Sequence, residues 1–186
     1  MRYNELTFQG RNAVLEAFRS GKTIDKLFIL DGCQDGPIKS IVREAKKTDA
    51  IINYVDKERL DRLAGTGHHQ GVVAIGAAYE YAEVDDILAA AKEKGEDPFI
   101  FILDEIEDPH NLGAIIRTAN LAGAHGVIIP KRRAVGLTAT VAKTSAGAIN
   151  YTPVAKVTNI SQTIEELKKQ GLWFVCADMG GETMYN

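Results

Sequence analysis

Apolar residues along the chain alternate between short continuous runs and stretches in which they recur every three or four positions. Continuous runs are typical of strands in a parallel sheet that is covered on both faces, and the second spacing is typical of amphipathic helices. The pattern therefore predicts an α/β fold. Its first series comprises helix 10–20, strand 26–30, helix 37–47, strand 51–55, helix 56–63 and strand 72–75.

A second series follows a stretch rich in tyrosine and acidic residues, 77–98, which contains a predicted helix at 84–94. We accordingly predict a small α/β domain at 1–76, a linker with a short helix at 77–98, and a parallel-sheet α/β domain at 99–186. The second series comprises strand 99–103, helix 111–122, strand 127–129, helix 138–146, strand 152–154, helix 160–169 and strand 172–177.

The charge of the chain is unevenly distributed. Of 186 residues, 22 are Lys or Arg and 25 are Asp or Glu, which gives a net charge of -3. Residues 1–48 hold 9 basic and 6 acidic side chains, residues 49–98 hold 5 and 11, and residues 99–186 hold 8 of each. The basic first segment and the run Lys131-Arg132-Arg133 suggest surfaces that meet a polyanion. A merely solvated surface is the alternative interpretation.

Cysteine, histidine and apolar content exclude several classes of protein. Cys33 and Cys176 are too few for a disulfide framework or a zinc ribbon. Adjacent His68 and His69 in an extended segment point to opposite faces, so we expect no shared metal ion. With no export leader and no run near the roughly 18 apolar residues of a membrane span, the sequence predicts a cytoplasmic protein.

Residues 108–120 are the strongest candidate for a functional site. They follow a predicted buried strand, and we expect Asn111 to cap the helix that leaves the turn. Gly113, Arg117 and Asn120 share one stripe of that helix, so the guanidinium of Arg117 is expected to reach back toward the cap and the bare glycine backbone. An ordinary cap and a surface arginine are the alternative. No glycine-rich nucleotide fingerprint or P-loop follows the strand.

The same segment resembles the first signature motif of the SpoU/TrmH group of RNA ribose methyltransferases, from Asp108-Pro109-His110-Asn111-Leu112-Gly113 through Arg117. Residues 10–17 and 69–72 resemble the N-terminal substrate-binding domain of the bacterial enzymes that methylate a guanosine ribose in 23S rRNA. Lys131 to Arg133 and residues 144–148 also lie where that subgroup carries similar residues. The resemblance therefore covers nearly the whole chain.

This resemblance implies transfer of a methyl group from S-adenosylmethionine to a ribose 2′-hydroxyl of ribosomal RNA, by a homodimer with a trefoil-knotted α/β domain. Arg117 would be the catalytic arginine and Asn111 its partner. No metal is implied. The residues we expect to contact RNA are Arg11, Asn12, His69, Gln70, Lys131, Arg132 and Arg133.

Two later motifs of the family, a Gly-Glu-Gly loop and a Ser-Leu-Asn segment, are not found in this sequence. We therefore expect the printed chain to stop short of the family length and to bind S-adenosylmethionine weakly or not at all. Within it, Ala177, Asp178 and Met179 are the candidates for cofactor contact. The alternatives are a noncatalytic RNA-binding module, a tRNA ribose methyltransferase, and an enzyme that binds a small anion beside Asn111 and Arg117.

Overall fold

A computed structural model describes residues 6–48, 50–65 and 67–177. Its first domain contains a four-stranded mixed sheet in the order β1-β4-β2-β3, in which β2 and β3 are parallel and β4 runs antiparallel to β1 and β2. The elements are β1 (Leu6–Gln9), α1 (Arg11–Arg19), β2 (Ile24–Leu30), α2 (Gly36–Lys47), β3 (Ile51–Val55), α3 (Lys57–Ala64) and β4 (Val72–Gly76).

Helices cover both faces of this first sheet. Apolar side chains of α1 and α2, such as Val14 and Ile41, pack against Leu27 on one face. On the other face Leu60 of α3 packs against Phe28. The alternation of neighbouring β2 residues between the two cores is what a strand buried on both sides requires.

The second domain has a parallel sheet in the order β5-β6-β7. Helices α5 and α6 lie with Val127 on one face, and helices α4 and α7 lie with Ile128 on the other. The predicted α/β class and the covered parallel sheet are confirmed. The elements are α4 (Val84–Lys94), β5 (Ile100–Ile102), α5 (Pro109–Leu121), β6 (Gly126–Pro130), α6 (Ala139–Thr144), a 3-10 turn (Ala148–Asn150), β7 (Val154–Val157) and α7 (Ile160–Lys169).

The main differences from the predicted strands concern β1, β7 and the end of the described chain. Strand β1 was not predicted, because four residues at a sheet edge carry too little pattern. Strand β7 begins at Val154 rather than residue 152, because the Thr152 N–H donates to the Ala148 carbonyl at 3.0 Å and so belongs to the preceding turn. The prediction of a strand at 172–177 is wrong: these residues form no regular element, and Trp173 is 96% exposed. An apolar run becomes a strand only where another strand lies beside it.

A polar cluster of Asp25, Tyr81 and Lys156, here called the interdomain cluster, joins the two domains. Lys156 Nζ donates to Asp25 Oδ1 at 2.5 Å and to the Tyr81 hydroxyl at 3.2 Å, and that hydroxyl donates to Asp25 Oδ2 at 3.0 Å. Asp25 is 7% exposed and lies at a bulge in the pairing of β2 with β4, a feature that redirects side chains. Because β2 and β7 belong to different sheets, the cluster fixes how the domains meet.

Tyr81 lies at the centre of the cluster, and its hydroxyl is protonated. Burial raises the pKa of the Tyr81 phenol well above its usual range, and the nearby Asp25 carboxylate raises the pKa further. The hydroxyl therefore stays a donor toward Asp25 while it accepts from the Leu137 N–H at 2.9 Å. The ammonium of Lys156 also lies 4.4 Å from the centroid of the Tyr81 ring. The chain between the domains is thus anchored to both of them.

Candidate functional site

Helix α5 starts at the carboxyl edge of the second sheet, where open parallel sheets bind ligands. The structure corrects the predicted cap: the Asp108 carboxylate accepts from the His110 N–H at 2.9 Å, and Pro109 occupies the first helical position. Asp108 is the N-cap residue, so its carboxylate can accept from the free N–H of His110. Pro109, between them, has no N–H that needs a partner. Asn111 is consequently an exposed residue in the first turn, at the edge of the sheet.

The sequence had suggested that Gly113 offers bare backbone to a ligand. The structure shows that it does not. It is buried where α5 crosses α6, and a Cβ placed on it would lie 1.9 Å from Thr144 Oγ1 and 3.0 Å from the backbone nitrogen of Ser145. Thr144 Oγ1 also reaches the carbonyl of Pro109 at 3.3 Å. Glycine at this position therefore sets the distance between the two helices.

Replacing Gly113 by alanine is expected to lower the free energy of unfolding by about 1–3 kcal/mol through overpacking, despite the roughly 1 kcal/mol that alanine gains in helix propensity. Urea denaturation measures the change. Gly36→Ala in the first turn of α2 is the matched control, because its added Cβ meets nothing within 4 Å. Equal stability of both variants would contradict the close crossing.

Arg117 lies on the exposed side of α5, eight residues after Pro109 and so about 12 Å along the helix axis. That distance is greater than the sequence suggested, since the helix begins two residues earlier. Its guanidinium makes no ion pair within the described residues, unlike those of Arg11 and Arg133. Asn120 turns away toward Thr152, so the predicted stripe is not one surface. Arg117 remains available to an external anion.

Three of the residues predicted to contact RNA line one cavity of the first domain, with a volume of about 600 Å³. Arg11 spans it: Nε donates to the Gln70 carbonyl at 3.2 Å, and the guanidinium pairs with Asp35 at 2.5 Å. The Gln70 side chain accepts from the Arg11 N–H at 3.1 Å, which closes the start of α1 onto the turn. Arg11, Asn12 and Gln70 are thus brought together, with Arg11 partly neutralised.

His69 lies beneath that turn rather than on its surface. It is 6% exposed; its Nδ1 accepts from the Gly71 N–H at 3.0 Å, and its Nε2 lies 2.8 Å from Asp61 Oδ1. With both ring nitrogens occupied, the imidazole supports the turn that presents Gln70. The expectation of direct RNA contact by His69 is therefore corrected to a supporting position.

Lys131, Arg132 and Arg133 line a different cavity, of about 430 Å³, that lies between the two domains. Arg133 pairs with Glu105 at 2.9 Å. The opposite wall of this cavity includes Lys26, Asn53 and Arg59, which the sequence did not identify. No spacing in the sequence identifies them, since they come from two strands and a helix of the other domain.

Only one of the three predicted cofactor contacts lies among the described residues. Ala177 is exposed and lies outside any regular element, while Asp178 and Met179, like the knot implied by the resemblance, lie outside the described residues. Among residues that the structure describes, no group of three His, Cys, Asp or Glu is placed to hold a metal ion. Nor does any described helix combine the length and apolarity needed to cross a membrane.

Two family models match the chain in succession. Residues 9–82 match the domain described as RNA 2′-O ribose methyltransferase substrate binding, and residues 98–186 match the SpoU rRNA Methylase family. Each match falls on one of the two sheets described above. The order of the two is the order that the sequence motifs had suggested.

Curated relatives give the same grouping. YacO of Bacillus subtilis, assigned to the TrmH family of tRNA/rRNA methyltransferases, is 54% identical over 91% of this chain and 68% of its own length. A TrmH family relative from Staphylococcus haemolyticus is 48% identical over 97% of this chain and 72% of its own.

Among solved structures, the SpoU methyltransferase AviRb of Streptomyces viridochromogenes, in complex with AdoMet, matches with a TM-score of 0.43 at 19% identity. That match covers 90% of this chain and 59% of AviRb. An AdoMet-bound rRNA methyltransferase from Sinorhizobium meliloti matches with a TM-score of 0.41 at 22% identity, over 88% and 58%. On the strength of the curated relatives and the two family models, this chain belongs to the SpoU/TrmH family of RNA methyltransferases.

Proposed function

We propose that the protein transfers a methyl group from S-adenosylmethionine to a ribose 2′-hydroxyl of ribosomal RNA, at a guanosine of 23S rRNA, as a cytoplasmic homodimer. The observation that carries this proposal is the succession of a substrate-binding match and a SpoU match along one chain. In this proposal residues 1–76 bind RNA and residues 99–186 belong to the catalytic domain. Within the linker 77–98, α4 packs on the second sheet.

Arg117 and Asn111 are the proposed site residues of the catalytic domain. An arginine guanidinium ordinarily titrates above about pH 12, so deprotonating one at pH 7 costs about 7 kcal/mol. A general base contributes only about 10²- to 10⁴-fold, or roughly 3–5 kcal/mol. We therefore assign Arg117 the role of a cation that holds phosphate or ribose and stabilises negative charge developing on the 2′-oxygen. Its lack of an ion pair in the described ranges supports that role.

S-adenosylmethionine, when bound, supplies an electrophilic methyl group on a sulfonium. Of the three residues proposed to contact it, Ala177 is exposed, and Asp178 and Met179 lie outside the described ranges. Contacts by Ala177, Asp178 and Met179 stay a proposal.

RNA contact is proposed at both cavities, through Arg11, Asn12 and Gln70 in the first and Lys131, Arg132 and Arg133 in the second. Cations provide most of the affinity for a nucleic-acid backbone, and amides and hydroxyls add direction. A tRNA target is the second candidate, because the B. subtilis relative is assigned to tRNA/rRNA methyltransferases.

Methyl transfer is tested with the complete gene product, isotopically labelled S-adenosylmethionine, and separate 23S rRNA and tRNA substrates. A 2′-O-methyl group blocks alkaline cleavage of the adjoining phosphodiester. We therefore expect labelled, alkali-resistant dinucleotides from rRNA that begin with guanosine. Label on base-methylated mononucleotides would reject ribose methylation, and label in tRNA alone would favour the second candidate. Binding of RNA without any binding of S-adenosylmethionine by calorimetry would instead indicate a noncatalytic module.

A further inference from the structure

The cleft between the two domains has cations on both walls. Its volume, about 430 Å³, is within the range of ligand-binding sites. Five of the ten residues that line it are basic, and none of these ten is acidic, although the chain as a whole has more acidic than basic residues. The lining residues are Lys26, Phe28, Ile51, Ile52, Asn53, Arg59, Lys131, Arg132, Arg133 and Ala134.

The register of the first sheet explains the wall formed by the first domain. Lys26 and Phe28 lie on one face of β2, and the parallel pairing of Lys26 with Ile51 and of Phe28 with Asn53 puts all four on the same face. Helix α3 covers this face, as its contact with Phe28 shows. Helix α3 also supplies Arg59, which lines the cleft together with Lys26.

The opposite wall comes from the segment that follows β6, at the carboxyl edge of the second sheet. Arg133 adopts a left-handed backbone conformation, with φ of 56°, and its guanidinium pairs with Glu105. Arg132 is exposed and makes no ion pair within the part of the chain that the structure describes. This wall therefore keeps at least one unneutralised cation facing Lys26 and Arg59.

The spacing between the walls is held by the interdomain cluster. Asp25 precedes Lys26 in β2, and its partner Lys156 lies in β7, which is paired with β6. A Cβ on Gly136, three residues after Arg133, would lie 2.2 Å from Asp25 Oδ2, so the segment after β6 is packed directly against β2 here. The cations on the two walls are thus kept close together before any ligand arrives, which reduces the entropic cost of binding.

We propose that this interdomain cleft binds the phosphodiester backbone of the RNA substrate, with Lys26 and Arg59 on one wall and Arg132 on the other contacting phosphates. The proposal rests on the proposed function and adds Lys26 and Arg59 to its RNA-binding residues. Lys26, Arg59 and Arg132 make no ion pair within the described residues, so they repel one another, and a polyanion relieves that repulsion as it releases its own counterions. A strand of RNA presents phosphates in series, so one strand can meet both walls.

The test compares two double variants of the whole chain, Lys26→Gln/Arg59→Gln in the cleft and Arg43→Gln/Lys46→Gln on the exposed side of α2. Both remove one lysine and one arginine from the first domain. Fluorescence anisotropy with a labelled 23S rRNA fragment gives Kd at several salt concentrations. Thermal unfolding of each variant establishes that it is folded.

We expect the cleft variant to bind RNA at least tenfold more weakly, since each charged hydrogen bond lost is worth about that factor. Its slope of log K against log salt should fall by about 0.7 for each phosphate contact removed from single-stranded RNA. The α2 variant should keep the wild-type slope. Arg132→Gln should act in the same direction as the cleft variant, because the two walls hold one strand.

Contrary results have distinct meanings. If the cleft variant keeps the affinity and slope of the α2 variant while the wild type binds RNA, the cleft proposal is wrong and the proposed function stands. If the wild type shows no salt-dependent RNA binding at all, both fail. If inorganic phosphate or a mononucleotide binds the wild-type cleft as tightly as the RNA fragment, the cleft is a small-anion site and the RNA proposal is overturned.

Discussion

Replacing Lys156 by methionine is expected to lower the free energy of unfolding by about 3–5 kcal/mol, because it leaves the Asp25 carboxylate buried without its counter-charge. The side chain of Lys156 is 12% exposed and that of Asp25 is 7% exposed, so water cannot replace the lost ammonium. Tyr81 would remain as a donor to Asp25, but a neutral hydroxyl does not compensate a carboxylate. Urea denaturation followed by circular dichroism measures the change.

Lys168→Met is the matched control for Lys156→Met. Lys168 also pairs with a carboxylate, Glu165, at 2.9 Å, but its side chain is 51% exposed. Exposed pairs of this kind are worth about 0–1 kcal/mol. A loss below 1 kcal/mol for Lys156→Met would mean that solvent screens the interdomain pair as well.

A double variant separates the buried charge from the packing. Asp25→Asn combined with Lys156→Met removes both charges while the asparagine keeps the shape that fits against Gly136. Because a buried pair replaced as a whole is often neutral in stability, most of the loss should be recovered. If the double variant is as unstable as Lys156→Met, the loss comes from the lysine's packing against the Tyr81 ring.

Under the proposed function, replacing Arg117 by lysine or alanine is expected to lower kcat for methyl transfer by about 10²- to 10³-fold, the range found when a donor to a developing oxyanion is removed. Lysine keeps the positive charge but loses the planar, bidentate geometry of the guanidinium. Single-turnover rates and RNA affinity should be measured together, so that binding and chemistry are separated.

Arg43→Lys serves as the control for Arg117→Lys, since Arg43 is an exposed arginine of the first domain with a side chain 71% exposed. It should leave the single-turnover rate and RNA affinity unchanged. Near-normal turnover by Arg117→Lys, with only weaker RNA binding, would reject a specific role for the guanidinium. A normal rate in Arg117→Ala would reject any catalytic role.

Local patterns predicted most of the helices and the parallel second sheet correctly. Helix α7 was placed at its observed residues, 160–169, because its apolar spacing is regular and a glycine follows it. Helix α5 was found, but its start was misplaced, since both Asp108 and Asn111 are good capping residues and only the structure shows which side chain bonds an amide. The run at 172–177 was misjudged because strand formation depends on a neighbour that the run itself does not specify.

The residues of the candidate site were likewise predicted only in part from the sequence. The Arg117 motif and the basic run at 131–133 each consist of residues close together in the chain, so both can be recognised in the sequence. Gly113 is also visible, but its contact with Thr144 depends on how α5 crosses α6. Lys26 and Arg59 carry no local sign of function, because their place in the cleft is set by strand register and by the docking of the other domain.

The sequence by itself determined the α/β class, the order of most elements and the family, because hydrophobic periodicity and short motifs are properties of neighbouring residues. Only the tertiary structure decided that Asp25 and Lys156, 131 positions apart, form the buried pair between the domains. It alone brought Lys26 and Arg59 opposite Arg132. The physical reason is that burial and charge pairing depend on distances in space, which packing sets and sequence separation does not.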